Sequence, residues 1–518
     1  MKRRSFIKNV GGVLAATGVS SSFGFGMPSA STIQSLLKLA AESNKVLVFV
    51  FLEGGNDGLN TVVPLDQLSS LSAVRPHVIM PENSFHNLPQ SELGLHPSLT
   101  GFSSLYKEGR LGIIQNVGYP DQNFSHFRST DIWMSASDST ELINTGWSGR
   151  HLHNEYPTFP TDFPNETMPD PLAIEIGSGS SLMFQGPTAS MSMVISDATS
   201  FYNLINDVDE PVPDTPAGEQ VEYIRLVARQ SQQYGEVVKT AAEKVAQQAT
   251  FPDTWLGAQL KIVSRLIAGG LQTPLYLVRH GGFDTHDSQV EAADHTTGQH
   301  ANLLTELDEA VMAFMKDLEQ QGTGDQVMGL TFSEFGRRIV SNASLGTDHG
   351  AAQPMFFFGN KVKGGVIGSN PIISSSATYA DNLPMQFDFR QVYASAMQQW
   401  LGSSTSNTTE ALFNEFDTLE LIGESVILGV KEQLALKGMS VYPNPIKDRA
   451  TIQFTSMGEH ISISVFDIYG KQKAQLFTGV KPKGKQQVEW LVNAIAPGKY
   501  LVVINSESGK RVVPVLKI

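Results

Sequence analysis

The sequence predicts an α/β protein with a mostly parallel sheet sandwiched by helices, followed by a small C-terminal all-β sandwich. Three observations predict it. Four apolar runs, Val46–Leu52, Leu111–Ile114, Pro274–Val278 and Val327–Phe332, lack polar alternation, as strands covered on both faces require. Between them lie stretches with helical spacing. From Met439 onward the pattern changes to strict alternation, and the charge changes sign with it.

The helical stretches run from Gln220 to Ala249, from Trp255 to Leu266, and through Leu303, Leu304, Leu307, Ala310, Val311, Phe314 and Leu318 at three- and four-residue spacing. That spacing puts the apolar side chains on one face, which covers a sheet. Parallel sheets of this kind bind ligands beyond the carboxyl ends of their strands, and each apolar run here is followed by polar residues. The first leads into Glu53-Gly-Gly-Asn-Asp57-Gly-Leu-Asn60 and the second into Asp121-Gln-Asn-Phe-Ser125-His126. The third leads into Arg279-His280-Gly-Gly-Phe-Asp284-Thr-His286 and the fourth into Ser333-Glu334-Phe335-Gly-Arg337-Arg338. A further cluster, Gly346-Thr-Asp348-His349-Gly350, precedes Met355–Phe358. One rim of a sheet would gather all of them.

Bland roles fit several of these residues taken singly. Asp57-Gly58 suits a turn, Glu334 suits the first turn of a helix, and His349 suits a polar loop. Asp284 and His286, two apart in extended chain, share a face as two ligands of one metal do, or as a hydrogen-bonded Asp–His pair does. Ser125 and His126 are neighbours and point oppositely in extended chain. The chain has no cysteine, which excludes disulfides, thiolate catalysis and cysteine-held metals. A metal would sit on His, Asp or Glu.

Within Met439–Ile518, alternation recurs at Ile452–Phe454, Ile461–Val465, Val488–Trp490 and Tyr500–Ile504, with turn chemistry at Pro443-Asn-Pro445, Tyr469-Gly470 and Pro497-Gly498. This tail has 11 basic and 5 acidic residues, whereas the whole chain carries a net charge of −14. It reads as a separate unit, giving a leader at 1–30, a main domain at 31–430, a linker at 431–438 and a sandwich at 439–518. The acidic balance of the main domain argues against nucleic acid as a partner. Past the leader no apolar run is long enough for a membrane span.

At the N-terminus, Lys2-Arg3-Arg4-Ser5-Phe6-Ile7-Lys8 before the short apolar run Val10–Val19 resembles a twin-arginine export signal. The tail, with Val441-Tyr-Pro-Asn-Pro445, Val465-Phe-Asp-Ile-Tyr-Gly470, Pro497-Gly-Lys-Tyr500 and Val512-Val-Pro-Val-Leu-Lys517, resembles the sorting domain of type IX secretion substrates of Bacteroidetes. These resemblances imply a protein that crosses the periplasm to the cell surface or beyond, with the type IX machinery as a partner.

Gly54-Gly-Asn-Asp-Gly-Leu-Asn60, Ser125-His-Phe127, Gly282-Phe-Asp-Thr-His286, Ser333-Glu-Phe-Gly-Arg337 and Thr347-Asp-His-Gly350 resemble domain-of-unknown-function family 1501. By motif order they also resemble the alkaline-phosphatase and sulfatase superfamily. The resemblance implies Asp57, Asp284, His286, Glu334 and His349 as ligands of one or two divalent ions, Zn or Mn. It implies Ser125 as nucleophile and hydrolysis of a phosphate or sulfate ester, the substrate being a small anionic ester or a sulfated glycan. Arg337 or Arg338 would supply positive charge to that ester. Phe335 stands where the superfamily has a histidine, and Asp284 and His286 are closer in sequence than its spacing. A non-catalytic surface protein acting in binding or glycan machinery is therefore the alternative.

Overall fold

The computed structural model describes residues 45–196, 233–423 and 440–517, apart from positions 167, 178, 445, 457, 468–471, 493–495, 497 and 507–508. The expected leader at 1–30, the linker at 431–438 and residues 220–232 of the first expected helix lie outside them. The chain divides into two compact units, one ending at position 424 and the other holding the C-terminal residues from 425.

The main unit is built on one mixed sheet. Its strands are β1 (Val46–Glu53), β5 (Leu111–Gly118), β6 (Ala173–Ile176), β7 (Ser192–Ile195), β8 (Leu275–Gly281), β9 (Val327–Phe332), β12 (Gln353–Phe358), β13 (Gly365–Ile367) and β14 (Phe387–Asp388). The order is β13-β5-β12-β9-β1-β8-β6-β7, with β14 beside β5. All four expected runs are strands here. β1 is parallel to β8 and β9, and β12 is antiparallel to both β9 and β5, so β5 runs the same way as the other three. Small sheets made by β2 (Val62–Pro64), β3 (His86–Asn87) and β4 (Leu93–Leu95), and by β10 (Arg337–Ser341) and β11 (Thr347–His349), complete the unit.

Both faces of the large sheet are covered. Register places Phe49 beside Leu330 and Leu330 beside Phe357, so these three share one face and Phe356 and Phe358 point to the other. On the first face, helices α2 (His126–Ser135), α3 (Trp147–Glu155) and α6 (Phe389–Ser395) bring Trp133, Trp147 and Tyr393 against Phe49 and Phe332. On the second, Phe102 of helix α1 (Thr100–Lys107) meets Phe356 edge-on at 5.0 Å. Helices α4 (Trp255–Ala268) and α5 (Gln299–Gln320) are joined by Ser264 donating to Asp317 at 2.6 Å. Asp308 of α5 accepts from the first-turn amides of α1 at 2.7–2.8 Å, a use of charge that favours a helix N-terminus. Every residue from Val46 to Leu52 is 2% exposed or less, which explains why this strand reads as an unbroken apolar run.

The second unit consists of β15 (Ser440–Tyr442), β16 (Arg449–Ser456), β17 (His460–Asp467), β18 (Gln472–Val480), β19 (Gly484–Leu491), β20 (Gly498–Ser506) and β21 (Gly509–Lys517). They form antiparallel sheets of order β15-β16-β19 and β18-β17-β20-β21. Ile452, Phe454 and Trp490 of one sheet and Ile461, Ile463, Val502 and Ile504 of the other lie in one buried cluster. The unit is a β-sandwich. Among the described residues, no helix is long and apolar enough to cross a membrane.

Candidate metal centre

Because β1, β5, β8 and β9 run the same way, their carboxyl ends open on one rim. β8 ends at Gly281 and delivers Asp284 and His286, and β9 ends at Phe332 and delivers Ser333 and Glu334. The loop after β5 starts α2 at His126. The β10–β11 hairpin sets His349 opposite Arg337.

Three imidazoles converge on the Asp284 carboxylate. His286 Nε2 and His349 Nε2 are each 3.2 Å from Asp284 Oδ1, and His126 Nε2 is 3.4 Å from Oδ2. The other ring nitrogen of each histidine faces an acceptor. His126 Nδ1 lies 2.7 Å from Glu334 Oε1, His286 Nδ1 lies 2.9 Å from Asp348 Oδ1, and His349 Nδ1 lies 2.8 Å from the Phe124 carbonyl. These acceptors fix the ring orientations and turn each Nε2 toward Asp284. His126 Nε2 is buried without a hydrogen-bond partner, and His286 Nε2 and His349 Nε2 are 2.8 Å apart. Ligand atoms of His126, Asp284 and His349 lie within 4.8 Å of one another, so this set can hold a metal ion, and a carboxylate behind a ligating imidazole is the usual outer support.

Glu334 is the anchor beneath His126. It is 2% exposed and accepts from the amides of Gly54 at 3.0 Å and Gly55 at 3.3 Å. Those amides face it because Gly54 and Gly55 adopt φ of +120° and +81°, which glycine allows cheaply. A Cβ at Gly54 would collide with the Phe283–Asp284 backbone, and one at Gly55 with the Phe335 ring. Hydrogen bonding to Glu334 pushes the His126 pKa above its ordinary value, against burial, with the Glu334 and Asp284 charges adding to the rise. Burial lowers that of His349. Burial raises the Asp284 carboxyl, but the Arg337 guanidinium, His349 and His286 together bring it down to about 2.

Two expected site residues are engaged otherwise than expected. Asp57 is 1% exposed, ion-paired to the buried Arg75 and held by Gln289 at 2.6 Å. Its expected role as metal ligand is not what this geometry supports, because a buried guanidinium already neutralises it. Arg337 is 1% exposed, its guanidinium turned into the rim. Its guanidinium donates to the carbonyls of Gly54, Gly55, Phe283 and Thr347 and to Asp284 Oδ1, so it positions the rim loops. Asp284, His286, His349 and, through His126, Glu334 are brought together as neighbours. Ser125 is exposed at the N-cap of α2 without a side-chain capping bond.

His126 and Asp348 were not among the expected site residues, yet the structure brings both into the cluster. The signal for His126 was present, since a helix starting at that residue turns it away from the extended geometry that had set it apart from Ser125. Phe335, fully buried, packs its ring 4.5 Å from His349 and 4.9 Å from His126. It packs against both imidazoles and contributes no ligand atom of its own. A cavity of about 380 Å³ opens over the cluster, lined by Phe124, His286, Arg338, Asp348, His349 and Tyr379.

Residues 217–403 match the family described as protein of unknown function, DUF1501, and residues 440–516 match the secretion system C-terminal sorting domain. The first match spans Asp284, His286, Glu334, Arg337, Arg338 and His349, and the second spans the β-sandwich. No curated protein sequence matches the chain. Among solved structures, PorZ, a surface component of the type IX secretion system of Porphyromonas gingivalis, matches over 17% of this chain and 13% of its own, at 22% identity and TM-score 0.14. The PsFucS1 sulfatase from Pseudoalteromonas sp. matches over 89% of this chain and 87% of its own, at 9% identity and TM-score 0.34. An alkaline phosphatase superfamily protein from Vibrio parahaemolyticus matches over 83% and 82%, at 9% identity and TM-score 0.33.

Proposed function

We propose that the main unit is an exported, metal-dependent hydrolase of phosphate or sulfate esters, carried to the cell surface or beyond by the type IX machinery. The observation that carries this reading is the convergence of three imidazole Nε2 atoms on Asp284, each ring fixed from behind by an acceptor. His126, Asp284 and His349 hold the ion, and His286 stands beside it. Imidazole and carboxylate donors suit Zn or Mn. Such an ion would polarise an ester oxygen and lower the pKa of an oxygen nucleophile. Asp57, paired with Arg75, and the buried Phe335 favour one ion over two.

The chain's own residues then divide the work. Glu334 and Asp348 hold the imidazoles in one tautomer. Arg337 keeps Asp284 ionised and in place. Ser125 Oγ, at the open end of α2 next to His126, is the nucleophile: it loses its proton to solvent and attacks phosphorus or sulfur as the bond to the leaving oxygen breaks. That oxygen takes a proton from solvent, and water then hydrolyses the seryl ester to free phosphate or sulfate.

The test measures bound metal and hydrolysis of 4-nitrophenyl phosphate and 4-nitrophenyl sulfate in wild type, His349→Ala and Ser125→Ala. His349→Ala is expected to lower metal occupancy tenfold or more and abolish turnover, with Ser125→Ala abolishing turnover at unchanged occupancy. Turnover that survives both substitutions rejects the assignment. The exposed, unbonded Ser125 favours a second reading, a surface protein that keeps the site for binding, which wild type with full metal and no turnover on any ester would support.

A further inference from the structure

Arg337 and Arg338 are adjacent on β10, and successive strand residues point to opposite faces. Arg337 turns inward to the rim carbonyls, and Arg338 turns outward into the cavity beside His286, Asp348 and His349. Its hydrogen bonding is slight, a 3.4 Å contact from Nη1 to the Ala380 carbonyl. Among the described residues no carboxylate pairs with it. Its guanidinium lies 4.8 Å from the centroid of the Phe124 ring, which is 36% exposed, and Tyr379, 59% exposed, closes the other side. Tyr379 is tied back to β10 through its hydroxyl and the Ser341 carbonyl at 3.4 Å. The neighbouring Asp348 is engaged by His286 and Asn342, so Arg338 keeps its charge for a ligand.

We propose that Arg338, Phe124 and Tyr379 form a specificity subsite for a ring-bearing anion, an aryl or glycosyl sulfate, phosphate or carboxylate. The guanidinium reads the anion through paired N–H donors, and the aromatic rings hold the sugar or aryl ring. This deepens the ester-hydrolase reading by naming its substrate class. It rests on that reading for the reaction and not for the binding.

The probes are 4-toluenesulfonate, which has no ester bond to cleave, and its neutral isostere methyl 4-tolyl sulfone, titrated calorimetrically into the full metal-loaded chain. Wild type is expected to bind the sulfonate at least tenfold tighter than the sulfone. Arg338→Gln erases that preference with metal content and thermal midpoint unchanged, and Phe124→Ala weakens both probes while keeping their ratio. A preference that survives Arg338→Gln assigns the anion to the histidine cluster and overturns the proposal, as does wild type that binds the two probes equally or binds neither. Preferential binding without turnover of any ester rejects the hydrolase reading and leaves the subsite standing. Turnover with a KM unmoved by Arg338→Gln does the reverse.

Discussion

His286 Nε2 and His349 Nε2 face each other across 2.8 Å, each with its Nδ1 against an acceptor. Both Nε2 atoms also lie 3.2 Å from Asp284 Oδ1, so the two rings share one carboxylate and a change at either is felt at the other.

Glu334 backs His126, a member of the proposed metal set. Glu334→Gln keeps the size of the side chain and removes the charge behind the imidazole. Metal affinity, read by chelator competition, is expected to fall about 10- to 100-fold, with the sheet intact by circular dichroism. Unchanged affinity would remove Glu334 from the metal site.

The Asp57–Arg75 pair is structural in this fold. Arg75→Met leaves a carboxylate buried without its partner and is expected to destabilise the main unit by about 3–5 kcal/mol in denaturant unfolding. The double variant Arg75→Met/Asp57→Leu should recover most of that loss, and metal content of the folded protein should not change. Loss of metal in the double variant would restore Asp57 to the ligand set.

Acid lability should arise at a buried histidine pair behind the site. Burial, helped by the charge of its partner, lowers His96 to about 3. Burial also lowers His300 to about 4, with Asp57 opposing, and the two rings meet edge-on at 5.8 Å. The unfolded chain protonates them near 6.5, so their contribution is fully present above that pH and is lost as the pH falls from 6.5 toward 4. The thermal midpoint should drop across that window, and His300→Gln should flatten the drop. An unchanged slope would place the lability elsewhere.

The sorting unit has its own core. Removing residues 440–518 is expected to shift the thermal midpoint of the main unit by no more than about 3 °C and to stop the protein short of the cell surface in a type IX host, followed by fractionation. A large loss of midpoint would mean that the two units share stabilising contacts.

The parallel strands were legible because burial on both faces writes an unbroken apolar run, as in Val46–Leu52. The antiparallel β12 was not, since Met355–Phe358 reads the same in either direction and only pairing sets its sense. Asp284, His286 and His349 stood out by type and spacing, and the structure brings the three together. The Asp57–Arg75 pair was hidden because nothing local in Gly55–Gly58 reveals a guanidinium 18 residues on. Arg337 and Arg338 look alike in sequence, and their opposite roles follow from which side of β10 each faces. Glu334 lies in no helix; it tops a strand, where its bonds run to glycine amides from the far end of the chain.

The Arg337 clamp also fixes the order of assembly. Its five acceptors come from Gly54, Gly55, Phe283, Asp284 and Thr347, and the ligand set runs from position 126 to position 349. Contacts so distant in the chain form late, after the sheet has closed, and an ion has no site to enter before then. Any ion the cluster takes up would therefore be drawn from the compartment in which folding finishes, and the metal content of the isolated protein would report which compartment that is.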